Sequence, residues 1–285
     1  MAADTDRGVL GIIAGGGAMP LRVAAAARAA GRQVFMVGLE GFAQPASLAG
    51  WPHAMARIGA AGRILELLRA QGVREVVLIG TVKRPGFFDL RPDAEGAKLL
   101  GRIGRAAFAG DDGLLRAVVT VLGEMGFTVL GAHEILREAL APLGLLTKAA
   151  PDAQAMADIA RGVAVARLLG QADVGQGCVV QQGLVLAVEA IEGTDAMLAR
   201  CGPLRREGPG GVLVKMAKPG QERRADLPTL GAETVRGAIA AGLRGVAFEA
   251  GGALLAERAE AVALADAAGV FLLGFDAEQV GRDGG

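Results

Sequence analysis

Apolar runs of five to seven residues alternate with helical stretches along the first half of this chain, joined by short connections. Residues 9–14 form a buried strand pattern, and Gly15-Gly16-Gly17 follows at once. Residues 19–30 are Ala-rich and helical, with Pro20 in the first turn, where its missing N–H costs little. Strand patterns recur at 33–39, 75–80 and 127–131. Helical ones recur at 61–71, with an Ile64, Leu65, Leu67, Leu68 stripe, and at 113–125. Such alternation predicts a parallel sheet covered on both faces. Residues 1 to about 133 make up this domain; 134–146 read as a short helix and exit, giving a boundary at 146/147.

The second half has a different texture. A linker at 147–152 precedes a helix at 153–170, and residues 178–188 read as a hairpin about Gln182-Gly183. Further strands are predicted at 212–215, 245–249 (continued by 252–255) and 270–274, with helices at 234–241 and 260–268. This half is α/β with a mixed sheet.

Composition narrows the function. Lys+Arg and Asp+Glu stand at 30 each, so there is no basic field to hold nucleic acid. Tyr is absent and Trp single, which removes base-stacking platforms. The only cysteines, Cys178 and Cys201, lack metal-ligand spacing and fit a reducing cytoplasm. With His53 and His133 the only histidines, a histidine-rich zinc site is excluded, and any metal is expected on carboxylates, as magnesium or manganese. No secretory signal or membrane-spanning run is evident, yet mean hydropathy is +0.40, which suggests an apolar chamber or an exposed apolar patch.

Five polar constellations stand out. Gly15, Gly16 and Gly17, between strand and helix, either bring backbone N–H groups to a phosphate or simply make a tight turn. Gly80-Thr81-Val82-Lys83-Arg84-Pro85 leaves another strand; Lys83 and Arg84 either clamp a nucleotide phosphate or form a solvated pair. Asp111-Asp112 precedes a helix as an N-cap and acidic first turn, with ligand contact the alternative. Glu189, Glu192 and Asp195 crowd the exit of the second-half hairpin, although Thr194-Asp195 also suits a helix start, with Asp195 then only an N-terminal helix charge. An inward Glu189 needs a cation or a donor, which Lys215, Arg224 or magnesium would supply. Richest is the segment 215–228, where Lys215, Lys218, Gln221, Glu222, Arg223, Arg224 and Asp226 follow a short strand. If that stretch is extended, Arg224 and Asp226 share one face. Cations beside carboxylates suit binding a phosphate with a metal ion held against it.

These segments, in this order, resemble the UDP-2,3-diacylglucosamine pyrophosphatases of the LpxI family. The match rests on Gly11 to Gly17 with Pro20, Gly80 to Pro85, Gly110-Asp111-Asp112 with Leu115, Val188 to Asp195, and Lys215 to Gly231. The resemblance implies a Rossmann-like nucleotide-binding domain at 1–146 and a catalytic, lipid-binding α/β domain at 147–285, with the ligand between them. It implies hydrolysis of the UDP-2,3-diacylglucosamine diphosphate to UMP and 2,3-diacylglucosamine 1-phosphate (lipid X), in lipid A biosynthesis. Water attacks the β-phosphate, with magnesium or manganese as cofactor. The implied catalytic residues are Asp226, the family's essential aspartate, with Lys215 and Arg224. Substrate contacts fall on Gly15, Gly16, Gly17, Thr81, Lys83, Arg84, Asp111, Asp112, Thr194, Lys218 and Gln221. Metal ligands fall on Asp226, Glu189, Glu192 and Asp195. Glu222 stands where an aspartate is expected. Partners are the substrate and lipid X, with transient contact at the cytoplasmic membrane face; homodimerisation is left open. A non-catalytic nucleotide-binding regulator is the competing reading. A NAD-dependent oxidoreductase is suggested only by the Rossmann-like start; the weak glycine fingerprint argues against it, as does Glu40, which follows the second strand without the rest of the pattern.

Overall fold

The computed structural model describes residues 8–82, 91–103 and 111–280, except the side chains of Ile103, Asp111 and Asp112. Two compact units divide the chain: 1–137 with 222–226, and 138–221 with 227–285.

The first unit runs β1 (Leu10–Ala14), α1 (Met19–Ala29), β2 (Val34–Leu39), α2 (Pro45–Leu48), β3 (His53–Ala56), α3 (Ala61–Ala70) and β4 (Glu75–Ile79). It continues through α4 (Ala94–Ile103), α5 (Asp111–Glu124), β5 (Thr128–Leu130) and α6 (Ala132–Ile135). The sheet order is β3-β2-β1-β4-β5, all parallel. All six residues of β2 are buried, as expected for a strand covered on both faces. Phe35, Val37 and Leu39 pack with Ile64, Leu65 and Leu68 of α3 and Val119 and Leu122 of α5. The intervening Met36 is fully buried on the other face. Strand order reverses between β1 and β4, and in such sheets a crevice opens at the carboxyl ends of the two strands flanking the reversal.

The second unit runs β6 (Gly144–Leu145), α7 (Ala153–Gln171), β7 (Gly177–Gln181), β8 (Leu184–Val188), α8 (Gly193–Cys201) and β9 (Val212–Lys215). It ends with β10 (Thr229–Leu230), α9 (Ala232–Ala240), β11 (Gly245–Glu249), β12 (Leu254–Leu255), α10 (Arg258–Ala268), β13 (Phe271–Phe275) and α11 (Ala277–Val280). Its main sheet is mixed, in the order β6-β13-β11-β9-β7-β8. Strands β9, β11 and β13 are parallel, while β7 is antiparallel to both neighbours. Side-chain alternation builds two cores. Cys178, Val180, Val212 and Val214 pack on Ile159, Val163 and Ala166 of α7. Val179, Leu213, Val246 and Phe248 face Leu198, Val235 and Ala261 of α8, α9 and α10.

The predicted hairpin is present. Gln182 (φ 54) and Gly183 (φ 78) both take positive φ, the requirement of a two-residue type I′ turn. One strand expectation is corrected. Residues 252–255 do not continue β11: the chain turns at 250–252, where Gly251 has φ +68. Leu254 and Leu255 then pair in parallel with Thr229 and Leu230 as a separate ladder. No described helix is long and apolar enough to cross a membrane.

Candidate functional site

In the first unit the crevice rim is built from backbone. Gly15 N–H donates to Ile79 O at 2.9 Å, and Gly16 and Thr81 exchange N–H···O bonds, each 2.9 Å. This bridge joins the loops leaving β1 and β4. A Cβ on Gly15 would stand 2.8 Å from Gly80 C and Thr81 O. Gly80 has φ +107, and its Cβ would stand 2.7 Å from Gly16 O. The tight turn therefore accounts for Gly15 and Gly16, whose N–H groups are engaged within the protein. Gly17 (φ +84) has open space where a side chain would project, and α1 has no side-chain N-cap. Its first-turn N–H groups face an anion favourably. Thr81 is exposed beside them. Lys83 and Arg84 lie outside the described residues; Asp111 and Asp112 open α5, their side chains outside the described set. Gly80→Ala combines positive φ with a backbone clash and is expected to cost about 3 kcal/mol, measurable by urea unfolding. A loss below about 1 kcal/mol would mean the two loops relax freely.

Residues 222–226 also belong to this unit, with Ala225 packed on its core. They are not extended. Ala225 and Asp226 N–H both bond Glu222 O at 3.0 Å, which curls the segment into a turn. Arg224 therefore does not pair with Asp226 across a strand face. Its fork takes Glu222 instead, Nε to Oε1 at 2.7 Å and Nη2 to Oε2 at 2.8 Å. The Arg224 hydrogen bonds hold the Glu222 carboxyl below its ordinary range, and Glu222 raises Arg224 in return. Asp226 is half-buried at the end of the turn.

In the second unit, β8, β9 and β11 run in the same direction and end at one edge. Glu189 follows β8, Lys215 ends β9 and Glu249 ends β11. Glu189 is inward: it is 5% exposed and Lys215 4%. Thr194, in the first turn of α8, donates to Glu189 Oε1 at 2.6 Å and accepts from Lys215 Nζ. Lys215 Nζ lies 3.6 Å from Glu189 Oε1. Beyond Lys215, Lys218-Pro219-Gly220-Gln221 closes a turn with Gly220 at φ +76, the type II pattern, through Gln221 N–H to Lys218 O at 3.0 Å. The Gln221 carboxamide accepts the Lys218 N–H at 2.9 Å, and Lys218 Nζ binds Asp173 Oδ1 at 2.6 Å.

Two of the other carboxylates expected on a metal, Glu192 and Asp195, do not join Glu189. Glu192 is exposed and paired with Arg200 at 2.6 Å, whose hydrogen bond holds its carboxyl below its ordinary range. Asp195 is exposed on the first turn of α8. Among the described residues no group of three or more His, Cys, Asp or Glu side chains could hold a metal ion. A resident divalent ion does not fit the Glu189 edge, where an ammonium already balances the carboxylate.

Three neighbours escaped the sequence reading. Asp173 anchors Lys218, Glu249 Oε2 accepts Ala217 N–H at 2.8 Å, and Gln176 O accepts Met216 N–H at 3.0 Å. The available signal for Glu249 was a charge at the carboxyl end of a parallel strand. Asp173 and Gln176 flank a glycine, and nothing in their spacing marks them.

Comparison with known proteins covers nearly the whole chain. Residues 9–139 match the LpxI N-terminal domain and residues 142–273 the LpxI C-terminal domain. Over 276 residues the chain is 47% identical to the UDP-2,3-diacylglucosamine pyrophosphatase LpxI of Caulobacter vibrioides, spanning 95% of this chain and 98% of that relative.

Proposed function

Because the chain belongs to the LpxI family, we propose that it hydrolyses the diphosphate of UDP-2,3-diacylglucosamine, releasing UMP and 2,3-diacylglucosamine 1-phosphate in lipid A biosynthesis. The observation that carries this reading is the 47% identity, sustained across 98% of a relative named for that pyrophosphatase activity. The first unit supports a nucleotide role: its strand order reverses at β1 and β4, and the uncapped start of α1 lies at that edge.

The residues divide the work as follows. The first-turn N–H groups of α1 take a phosphate oxygen of the nucleotide. Asp226 acts on the attacking water, and Lys215 offsets charge developing on the diphosphate. Water adds to the β-phosphorus, the phosphoanhydride bond breaks, and UMP departs with the bridging oxygen. The divalent requirement belongs to an ion that arrives with the diphosphate. Magnesium ordinarily takes one or two carboxylates, with phosphate oxygens and water completing its shell. The acyl chains draw the enzyme to the cytoplasmic membrane face transiently, since each CH₂ removed from water contributes about 0.8 kcal/mol.

The test is UMP release from UDP-2,3-diacylglucosamine with magnesium and with excess chelator. Magnesium-dependent release is expected. Release that is equal in chelator would remove the ion from the account, and no release in either would leave the chain a nucleotide binder.

A further inference from the structure

Glu189 and Lys215 bury one full charge of each sign at the carboxyl edge of the second sheet. A carboxylate in that position needs a counter-charge. A divalent ion and an ammonium leave different surroundings. An ion gathers several oxygen atoms around itself. Around Glu189 Oε1 stand donors instead: the Thr194 hydroxyl at 2.6 Å and the Lys215 ammonium at 3.6 Å. Lys215 also donates to the Thr194 hydroxyl. The second oxygen, Oε2, faces Gly177, where a Cβ would stand 2.9 Å away, and it is buried with no hydrogen-bond partner among the described residues.

We infer that Glu189 and Thr194 are positioning residues for Lys215, not ligands of a divalent ion. A threonine hydroxyl carries one proton and two lone pairs. Here the proton goes to Glu189, and a lone pair receives Lys215. The chain Glu189–Thr194–Lys215 thus fixes the ammonium from a buried base. With one N–H on Thr194 and Glu189 Oε1 3.6 Å away, the Lys215 ammonium has further N–H groups to give. On the hydrolase reading, on which this role rests, a phosphate oxygen is the acceptor they await. Gly177 belongs to the device, since any side chain there would displace Glu189 Oε2.

Three variants test this: Glu189→Gln, Thr194→Val and Thr194→Ser. Manganese binding to the full-length protein with uridine diphosphate present, followed by electron paramagnetic resonance, should be unchanged within about twofold in Glu189→Gln. Weakening of about tenfold or more, the effect of losing a ligand shell member, would overturn the inference. Thr194→Val should lower kcat by about thirtyfold at an unchanged half-saturating magnesium concentration. Thr194→Ser, which keeps the hydroxyl, should stay within about threefold of wild type. A Val variant as active as the Ser variant would contradict the relay. Nitrogen-15 spectra add a readout without turnover. A slowly exchanging Lys215 ammonium signal is expected in wild type and Thr194→Ser, and lost in Thr194→Val; its absence from wild type would also overturn the proposal. If wild type releases no UMP, the hydrolase reading falls, while the manganese and ammonium measurements still decide the relay. Should Thr194→Val fail to fold, Glu189→Gln and the serine variant carry the test.

Discussion

Asp226→Ala is expected to lower turnover of UDP-2,3-diacylglucosamine about a thousandfold while leaving substrate affinity within a few-fold. A thousandfold is about 4 kcal/mol of barrier. The expectation follows from where a water-orienting carboxylate acts. It does little for the ground state and much for the transition state, so kcat falls and binding stays. The backbone N–H of Asp226 closes the turn on Glu222 O whatever the side chain, and the Arg224 fork is held by Glu222. Asp226→Asn keeps the shape and removes the charge; it should be nearly as slow. Single-turnover kinetics and calorimetric titration separate the two quantities. Near-normal turnover in either variant would take Asp226 out of the reacting centre.

Asp158→Ala is expected to destabilise the second unit by about 3–4 kcal/mol, seen as a fall of about 10 °C in its unfolding midpoint. Asp158 is 2% exposed on α7, yet it serves the β7–β8 hairpin. Its Oδ2 accepts Gln182 N–H at 3.0 Å and its Oδ1 accepts Gly183 N–H at 2.7 Å. Both donors of a strained-φ turn thus end on one buried carboxyl. Hydrogen bonds to charged groups contribute roughly 1.5–3 kcal/mol each. Removing the acceptor leaves two N–H groups to find water and opens a small cavity. Asp158→Asn keeps one acceptor oxygen and should recover about half the loss. A cost below about 1 kcal/mol for the alanine variant would mean that the turn holds itself through its own geometry.

Periodicity made the main strands legible and the small elements not. Leu10–Ala14, Val34–Leu39 and Glu75–Ile79 are apolar runs with no competing period, and each forms a central strand. The Gln182-Gly183 turn was visible from residue type alone. By contrast β3 is four residues long and carries His53, so no apolar run announces it. Helix α4 contains Gly96 and Gly101, which weaken a helical pattern read by propensity. Leu254–Leu255 looked like more of β11 because the redirecting signal is a single positive-φ glycine, Gly251.

The candidate site was legible in its residue types and less so in its pairings. An inward Glu189 calling for a cation was a sequence-level alternative, and Lys215 stands beside it. The Arg224–Glu222 fork was not foreseen, because a turn of five residues reverses the face relation that an extended chain would give. Glu192 and Asp195 lie close to Glu189 in sequence, yet the helix start at Gly193 carries them to solvent. Sequence proximity overstates convergence wherever a chain changes from strand to helix.

The central claim is a hydrolysis in which water attacks the β-phosphorus. Turnover of UDP-2,3-diacylglucosamine in heavy-oxygen water, with mass analysis of both products, tests it most directly. The account predicts release of UMP without label and one heavy oxygen in the 2,3-diacylglucosamine 1-phosphate. Label in UMP would place the attack on the other phosphorus and reassign the roles of Asp226 and Lys215; no UMP at all would contradict the hydrolase itself.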